Sequence, residues 1–149
     1  MIPTDIGAYI TSRSCGGVAV TAGGAGDNTE VNGPWVDRQG YASAKLVITF
    51  KAVLAAAATL TIAANLQEAT DSAGTGAADF GAAHAAATAA TGAGGGSTEY
   101  GVVELDLNLT TAERYVRAQF TPNLSAANTD TAVVSAVLVL GGGTNIPAV

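Results

Sequence analysis

The chain has 149 residues and a formal net charge of −6, only 12% of its residues are charged, and Ala, Gly and Thr together fill 69 positions. This length predicts one domain with a core of its own. The scarcity of charge argues against a coiled coil, and the irregular glycine spacing excludes collagen. Because acidic surfaces repel phosphate backbones, we expect no nucleic-acid partner.

Membrane insertion and disulfide pairing are not expected either. No window of about 18 residues is apolar throughout, and the sequence Met1–Asp5 lacks the basic and apolar regions of a secretory signal. One cysteine, Cys15, cannot form an intrachain disulfide. We therefore expect synthesis in a reducing cytoplasm and a fold stabilised by burial and hydrogen bonding.

The chain divides into three parts by composition. Residues 1–15 are interpreted as an N-terminal arm with scattered apolar side chains, residues 16–143 as a single β-sandwich domain, and residues 144–149 as a C-terminal tail. Within the domain, the run 18–22 is typical of a short strand, and the glycine-rich run 23–28 that follows it indicates a loop.

Strict alternation of apolar and polar residues predicts most of the strands. In 44–53, Leu46, Ile48 and Phe50 share one face, and 59–67 alternates in the same way. The short gap between these two segments favours an antiparallel hairpin. Further strands are predicted at 101–109, at 114–121 with Pro122 as its end, and at 131–140.

The alanine-rich stretch 82–90 is ambiguous. Alanine favours a helix, yet the stretch has no large apolar stripe with which a helix could dock, which favours a short strand or an irregular segment. The count is then six or seven strands. This pattern predicts an all-β fold, an antiparallel β-sandwich or jelly roll with long Gly/Ala-rich loops.

Groups that carry chemistry are scarce. His84 lies in the alanine-rich stretch without a nucleophile motif that would use it, and Cys15 has no neighbouring base, so we expect a buried or half-buried thiol. One histidine and one cysteine cannot make a zinc site, and no loop matches an EF-hand. We therefore expect no catalytic residues, no metal site, no cofactor and no enzymatic activity.

Apolar and aromatic residues outside the strands suggest contact with a partner. The arm has four side chains that are not needed for a core: Ile2, Ile6, Tyr9 and Ile10. Trp35 is explained either by core or edge packing or by docking on a partner.

The residues from Trp35 to Ile48 resemble the opening of small structural proteins of tailed phages, in which a VDR-x-GY-x-SA stretch leads into a strand. Further similar segments follow in the same order as in those proteins, at 58–62, 66–71, 113–121 and 137–142. The similarity therefore covers residues 33–143, and this chain departs from it at 82–90. The group resembled is the capsid decoration (cement) proteins of tailed bacteriophages and related head proteins.

This resemblance implies a virion structural protein that binds the outer surface of a phage capsid across capsomer seams and stabilises it. The implied partners are the major capsid protein and further copies of the chain in a homotrimer, and the implied location is the capsid exterior after synthesis in the host cytoplasm. The expected interface residues are Ile2, Ile6, Tyr9, Ile10, Trp35, Arg38, Arg114 and Arg117.

Other interpretations stay open for parts of this assignment. The three arginines are explained equally well as exposed, solvated charges or as ion-pair partners of Asp37, Glu113 or an acidic shell surface. Alternatives of another class are a carbohydrate-binding or adhesin-type module of a head or tail fibre, and a tail-tube or neck subunit.

Overall fold

The computed structural model describes residues 5–125 and 129–144. One turn of 3₁₀ helix spans Ile6–Ala8. The strands are β1 (Thr11–Thr21), β2 (Val31–Asn32), β3 (Val36–Asp37), β4 (Tyr41–Leu54), β5 (Thr59–Ala69), β6 (Ala78–Thr91), β7 (Ser97–Asn108), β8 (Tyr115–Leu124) and β9 (Thr131–Gly143). Ile2 and tail residues 145–149 lie outside the described residues.

The strands form two antiparallel sheets. Sheet I has the order β1-β9-β4-β7, and sheet II has the order β2-β8-β5-β6 with β3 also paired to β8. All pairings in both sheets are antiparallel. The predicted all-β antiparallel sandwich is confirmed.

The core lies between the sheets and consists of the inward half of each alternating strand. Leu46 and Leu138 of sheet I and Ile62 and Phe120 of sheet II are at most 1% exposed. Full burial of a side chain of this size stabilises the fold by about 1.5–3 kcal/mol. Small side chains fill the positions between the large ones: Ala52, Ala118, Ala132, Ala136 and Val134 are at most 3% exposed.

The predicted hairpin between the first two strong strands is wrong. β4 pairs with β7 and β9 in sheet I, whereas β5 pairs with β6 and β8 in sheet II. The link 55–58 crosses from one sheet to the other, and Ala57 takes a φ of 61° there. This crossing places the apolar face of β4 opposite that of β5, which satisfies both alternations across the core instead of within one sheet.

The ambiguous stretch 82–90 is part of strand β6, the outer strand of sheet II. β6 pairs with β5 through three register shifts, and Gly81 has a φ of +72°. Cross-strand pairing with β5 overrides the helix propensity of alanine. In place of one long glycine- and alanine-rich loop, two shorter links, 70–77 and 92–96, flank β6.

β1 begins earlier than the sequence predicts and includes the last residues assigned to the arm. Thr11 pairs with Leu140 and Ser14 with Val137, so this segment completes the edge of sheet I. Its Ser and Thr residues hide the strand from an apolar pattern. Cys15 is 0% exposed, and desolvation by burial raises the pKa of its thiol.

β8 and β9 also extend beyond their predicted ends. Pro122 lies within β8, opposite Ile62, and its carbonyl accepts a hydrogen bond from the N–H of Asn28 at 2.9 Å. The backbone polar groups of Pro122 therefore point away from β5, so its missing N–H removes no bond of that ladder. β9 continues to Gly143, which pairs with Tyr41.

Asp130 joins three segments where β9 begins. Its side chain is 2% exposed, Oδ1 accepts from the N–H of Ala55 at 2.9 Å, and its carbonyl accepts from the N–H of Ala22 at 3.0 Å. Within the described part of the chain, Oδ2 has no hydrogen-bond partner. Burying a carboxylate whose oxygens are not all hydrogen-bonded costs free energy, and burying a neutral amide in its place costs less.

We expect Asp130→Asn to match or exceed the wild type in free energy of unfolding, because it keeps the bond to Ala55 and removes the charge. Asp130→Ala should lose about 1–3 kcal/mol, because it leaves the Ala55 N–H unsatisfied. Urea unfolding at pH 7 measures both. Equal destabilisation by the two variants would contradict this role.

Candidate docking surface

The expected interface residues that the structure describes gather at one end of the sandwich, which we call the arm end. It comprises residues 5–10 and the links 33–35, 38–40, 70–77 and 109–114. Strands β4 and β8 begin there and strands β5 and β7 end there. The arm lies on the side of sheet I, and Trp35 and the arginines lie on the side of sheet II. The sequence alone does not show this clustering, because it depends on the crossing of the chain between the sheets.

The arm presents an apolar side chain to solvent from a capped turn. The Asp5 carboxylate accepts a hydrogen bond from the N–H of Gly7 at 3.0 Å, which closes the N-terminus of the 3₁₀ turn. Ile6 is 71% exposed and Tyr9 is 36% exposed. Ile6 and Ile10 line an open, mainly apolar hollow of about 660 Å³, whose other wall includes Val139 and Gly141 of β9.

Trp35 is held by neighbours inside the chain. The guanidinium of Arg117 lies 4.7 Å from the centre of the Trp35 ring, and its Nε and Nη2 donate to Oε1 of Gln67 at 2.9 and 2.7 Å. Gly74 approaches the other part of the indole so closely that an added Cβ would lie 2.6 Å from Nε1. Trp35 is half-buried in this packing, which accounts for it as an edge-packing residue.

Arg38 and Arg114 tie the link before β4 to the link before β8. Arg114 Nη2 forms an ion pair with Oδ2 of Asp37 at 2.7 Å, and this hydrogen bond lowers the pKa of the Asp37 carboxyl. Arg38 Nε donates to the carbonyl of Glu113 at 2.8 Å, not to its carboxylate, and Nη2 donates to the carbonyl of Ala112. Of the expected partners within the chain, Asp37 forms an ion pair with Arg114, whereas Glu113 contacts Arg38 through its backbone carbonyl.

The outer face of sheet II carries a polar network that was not predicted from the sequence. Asn65 Nδ2 donates to Asp79 Oδ1 and to Gln119 Oε1, both at 3.0 Å. Gln67 Nε2 donates to Asp79 Oδ1 at 3.1 Å, and Gln119 Nε2 donates to Glu30 Oε1 at 2.8 Å. The sequence shows polar residues at the outward positions of β5 and β8, but it does not show the cross-strand register that brings them together.

Potentially reactive groups are separated from one another. His84 lies in β6, at a hollow of about 310 Å³ that Asp79 and Asn65 also line, while Cys15 lies buried in β1 of the other sheet. In the portion of the chain that the structure describes, no group of three or more His, Cys, Asp or Glu side chains is placed to hold a metal ion.

The structure also bears on membrane insertion. Across residues 5–125 and 129–144, no helix has both the length and the apolar character needed to span a membrane.

Comparison with known proteins finds distant likeness only. No family model matches the chain, and no curated protein matches it. A structure of T=1 particles derived from infectious bursal virus aligns at 10% identity and a TM-score of 0.47, covering 93% of this chain and 32% of that chain. A structure of the Gx strain of infectious bursal disease virus aligns at 14% identity and a TM-score of 0.39, covering 95% of this chain and 31% of that one.

The chain thus spans about a third of each of these viral chains. Likeness at these values supports no inference about function.

We expect Gly74→Ala to displace Trp35, because the new Cβ would overlap the indole at a position that also has a φ of +87°. The matched control is Gly76→Ala, where φ is +70° and no atom lies within 4 Å of the added Cβ. Both variants carry backbone strain of about 1–2 kcal/mol. Only Gly74→Ala should shift the emission of the single tryptophan to longer wavelength and lose more stability. Identical spectra for the two variants would disprove the packing role of Gly74.

Proposed function

We propose that this protein is a virion structural protein, a decoration (cement) protein that binds the outer surface of a phage capsid across capsomer seams and stabilises the shell. The support from sequence is the resemblance over residues 33–143. The structural observation that carries the proposal is the exposed apolar arm, with Ile6 71% exposed, at one end of a β-sandwich.

The proposed partner is the major capsid protein, and the proposed location is the capsid exterior after synthesis in the host cytoplasm. Three copies around each three-fold position, as in the proteins resembled, are part of the proposal. A packaged genome pushes the shell outward, and a protein bound on both sides of a seam opposes separation. Weak contacts suffice, because linked contacts on one shell add through effective concentration.

In this proposal the arm makes the first contact with the shell. Asp5 fixes the turn that displays Ile6, so little ordering is required when Ile6 becomes buried. The hollow beside Ile6 and Ile10 is lined mainly by apolar atoms, and burying such surface contributes about 25 cal/mol per Å². The arginines contribute less in this scheme, because Arg38, Arg114 and Arg117 already donate to groups of the same chain.

The proposal assigns the protein no catalytic role. His84 and Cys15 lie in different sheets, and nothing in the proposed activity requires bond making. Catalytic turnover that depends on His84 would contradict this part of the proposal.

The alternatives make different demands on the surface. A glycan-binding module needs an open aromatic ring, whereas the Trp35 ring is stacked by Arg117 and bounded by Gly74. Binding on a glycan array that is lost in an exposed-tyrosine variant, Tyr100→Ser, would favour that module.

A tail-tube or neck subunit would appear as rings or tubes by electron microscopy, not as a coat on shells.

Deletion of residues 1–10 should abolish co-sedimentation with shells of the cognate major capsid protein while the sandwich remains folded. Ile6→Asp should weaken shell binding at least about tenfold, since burial of one such side chain contributes about 1.5–3 kcal/mol and about 1.4 kcal/mol corresponds to a factor of ten.

The matched control is Asn123→Asp, which adds the same charge at an exposed position on the outer face of sheet II. Far-UV circular dichroism checks the fold of each variant. Normal shell binding by the truncated chain would rule out the arm as the docking element.

A further inference from the structure

The outer face of sheet I carries most of the large apolar side chains that the described part of the chain exposes. Tyr100 is 72% exposed, Val133 58%, Val102 54%, Val53 45% and Val137 37%. We call this surface the valine face. It consists of the outward residues of β4 from Ser43 to Val53 and of the outward residues that lie beside them on β9, β1 and β7.

The strand register makes this surface continuous. Lys51 lies between Val133 on β9 and Tyr100 on β7, and two residues further along Thr49 lies between Ser135 and Val102. The next row pairs Val47 with Val137 and with Glu104. The exposed valines therefore lie on one continuous surface, in which Lys51 is flanked by Val133 and Tyr100 and Glu104 lies beside Val47.

The charges of the valine face are balanced and separated along the strands. The chain as a whole carries −6, whereas this face carries two lysines and two acids. Toward the arm end, Lys45 binds Glu104 at 3.2 Å and Asp106 at 2.9 Å, which leaves that end with one excess negative charge. Toward the opposite end lies Lys51, whose ammonium is 5.8 Å from the Tyr100 ring. The face is thus neutral overall, uncharged in the row of Ser135, Thr49 and Val102, and oppositely charged on the two sides of that row.

The size of the face suits a stable contact between proteins. With about 3.4 Å per residue from Ser43 to Val53 and about 4.8 Å per strand, it measures roughly 34 Å by 19 Å. This outline encloses about 650 Å², somewhat less than the roughly 800 Å² per partner that standard interfaces bury. Five large apolar side chains are exposed within this area, and clustered exposed apolar side chains mark interaction sites on soluble proteins.

We infer that the valine face binds a second copy of this chain, face to face, about a two-fold axis that lies in the interface and runs across the strands. An axis at the level of Thr49 places each β4 over the other β4 with reversed direction. Lys51 of each copy then lies over Val47 of the other, next to Glu104. The excess positive end of one face meets the excess negative end of the other, twice, on either side of a central row of Ser135, Thr49 and Val102.

The outer face of sheet II does not suit the same contact. Its amide and carboxylate groups bind one another through Asn65, Gln67, Asp79 and Gln119, so burying it would desolvate groups that gain no new partner. The free edge of β6 is unsuited to pairing, because three register shifts interrupt its ladder and such bulges turn an edge away from new strands.

This inference does not depend on binding to a capsid, although the end of the valine face with Ser43, Lys45 and Val139 also lines the hollow beside the arm, so the pair and the shell would compete for that end. A face-to-face pair is closed by a two-fold axis and is a state of the free protein in solution. The three copies proposed around a three-fold position on the shell would need a different contact between them.

Sedimentation-velocity ultracentrifugation of the full chain at micromolar concentrations in 0.15 M salt tests the pair. We expect a species of twice the chain mass. Val133→Asp should convert it to monomer, and Lys51→Glu should weaken association at least tenfold. The double variant Lys51→Glu, Glu104→Lys should restore association, because the end charges are exchanged on both copies. Asn123→Asp serves as the control and should leave the pair intact.

A monomer at all concentrations would overturn the inference, and so would a trimer. A dimer that survives Val133→Asp would place the contact elsewhere and overturn it as well. Thermal unfolding of each variant confirms that the fold is intact. Shell binding by the arm variants is measured separately, so failure of the capsid proposal and failure of the pair are distinguishable.

Discussion

Burial of every second residue between two sheets is the constraint on which the rest of the structure depends. The chain has no disulfide and few large apolar residues, so each strand must turn its apolar side inward. Leu46 and Leu138 of sheet I oppose Ile62 and Phe120 of sheet II, all at most 1% exposed, and alanines fill the positions between such side chains. Loss of the alternation in a single strand would expose one half of this core and bury the polar half.

The strands and their inward faces could be predicted from the sequence, but the pairing of the strands in space could not. Alternation in β4, β5 and β7 is strong enough to identify strands and their inward faces. The same alternation does not say which strands pair, and the β4–β5 hairpin was wrong because residues 55–58 cross between sheets. β6 was undecided because its alanines carry helix propensity without an apolar stripe, and its pairing with β5 is a tertiary effect.

The same limitation applied to the candidate site. Ile6, Tyr9 and Ile10 were recognised by their apolar character outside any strand, and the structure places Ile6 and Ile10 beside an open hollow. Trp35 and Arg117 were identified as candidates separately, but their stacking at 4.7 Å requires the pairing of β8 with β5 and could not be deduced. The valine face was hidden because valine at an outward position is indistinguishable from a core residue in a β-branched run.

The two outer faces of the sandwich therefore have different roles in our account. Sheet II engages its polar groups with one another, sheet I leaves an apolar and electrically neutral surface, and the arm projects from one end. We propose that such a molecule acts by binding through its surfaces. The most direct measurement is a cryo-electron microscopy map of shells coated with the protein. The account predicts density for a two-sheet sandwich on the shell exterior, with the arm end against the capsomer seams. Shells without such density, or density only in the tail or neck, would contradict it.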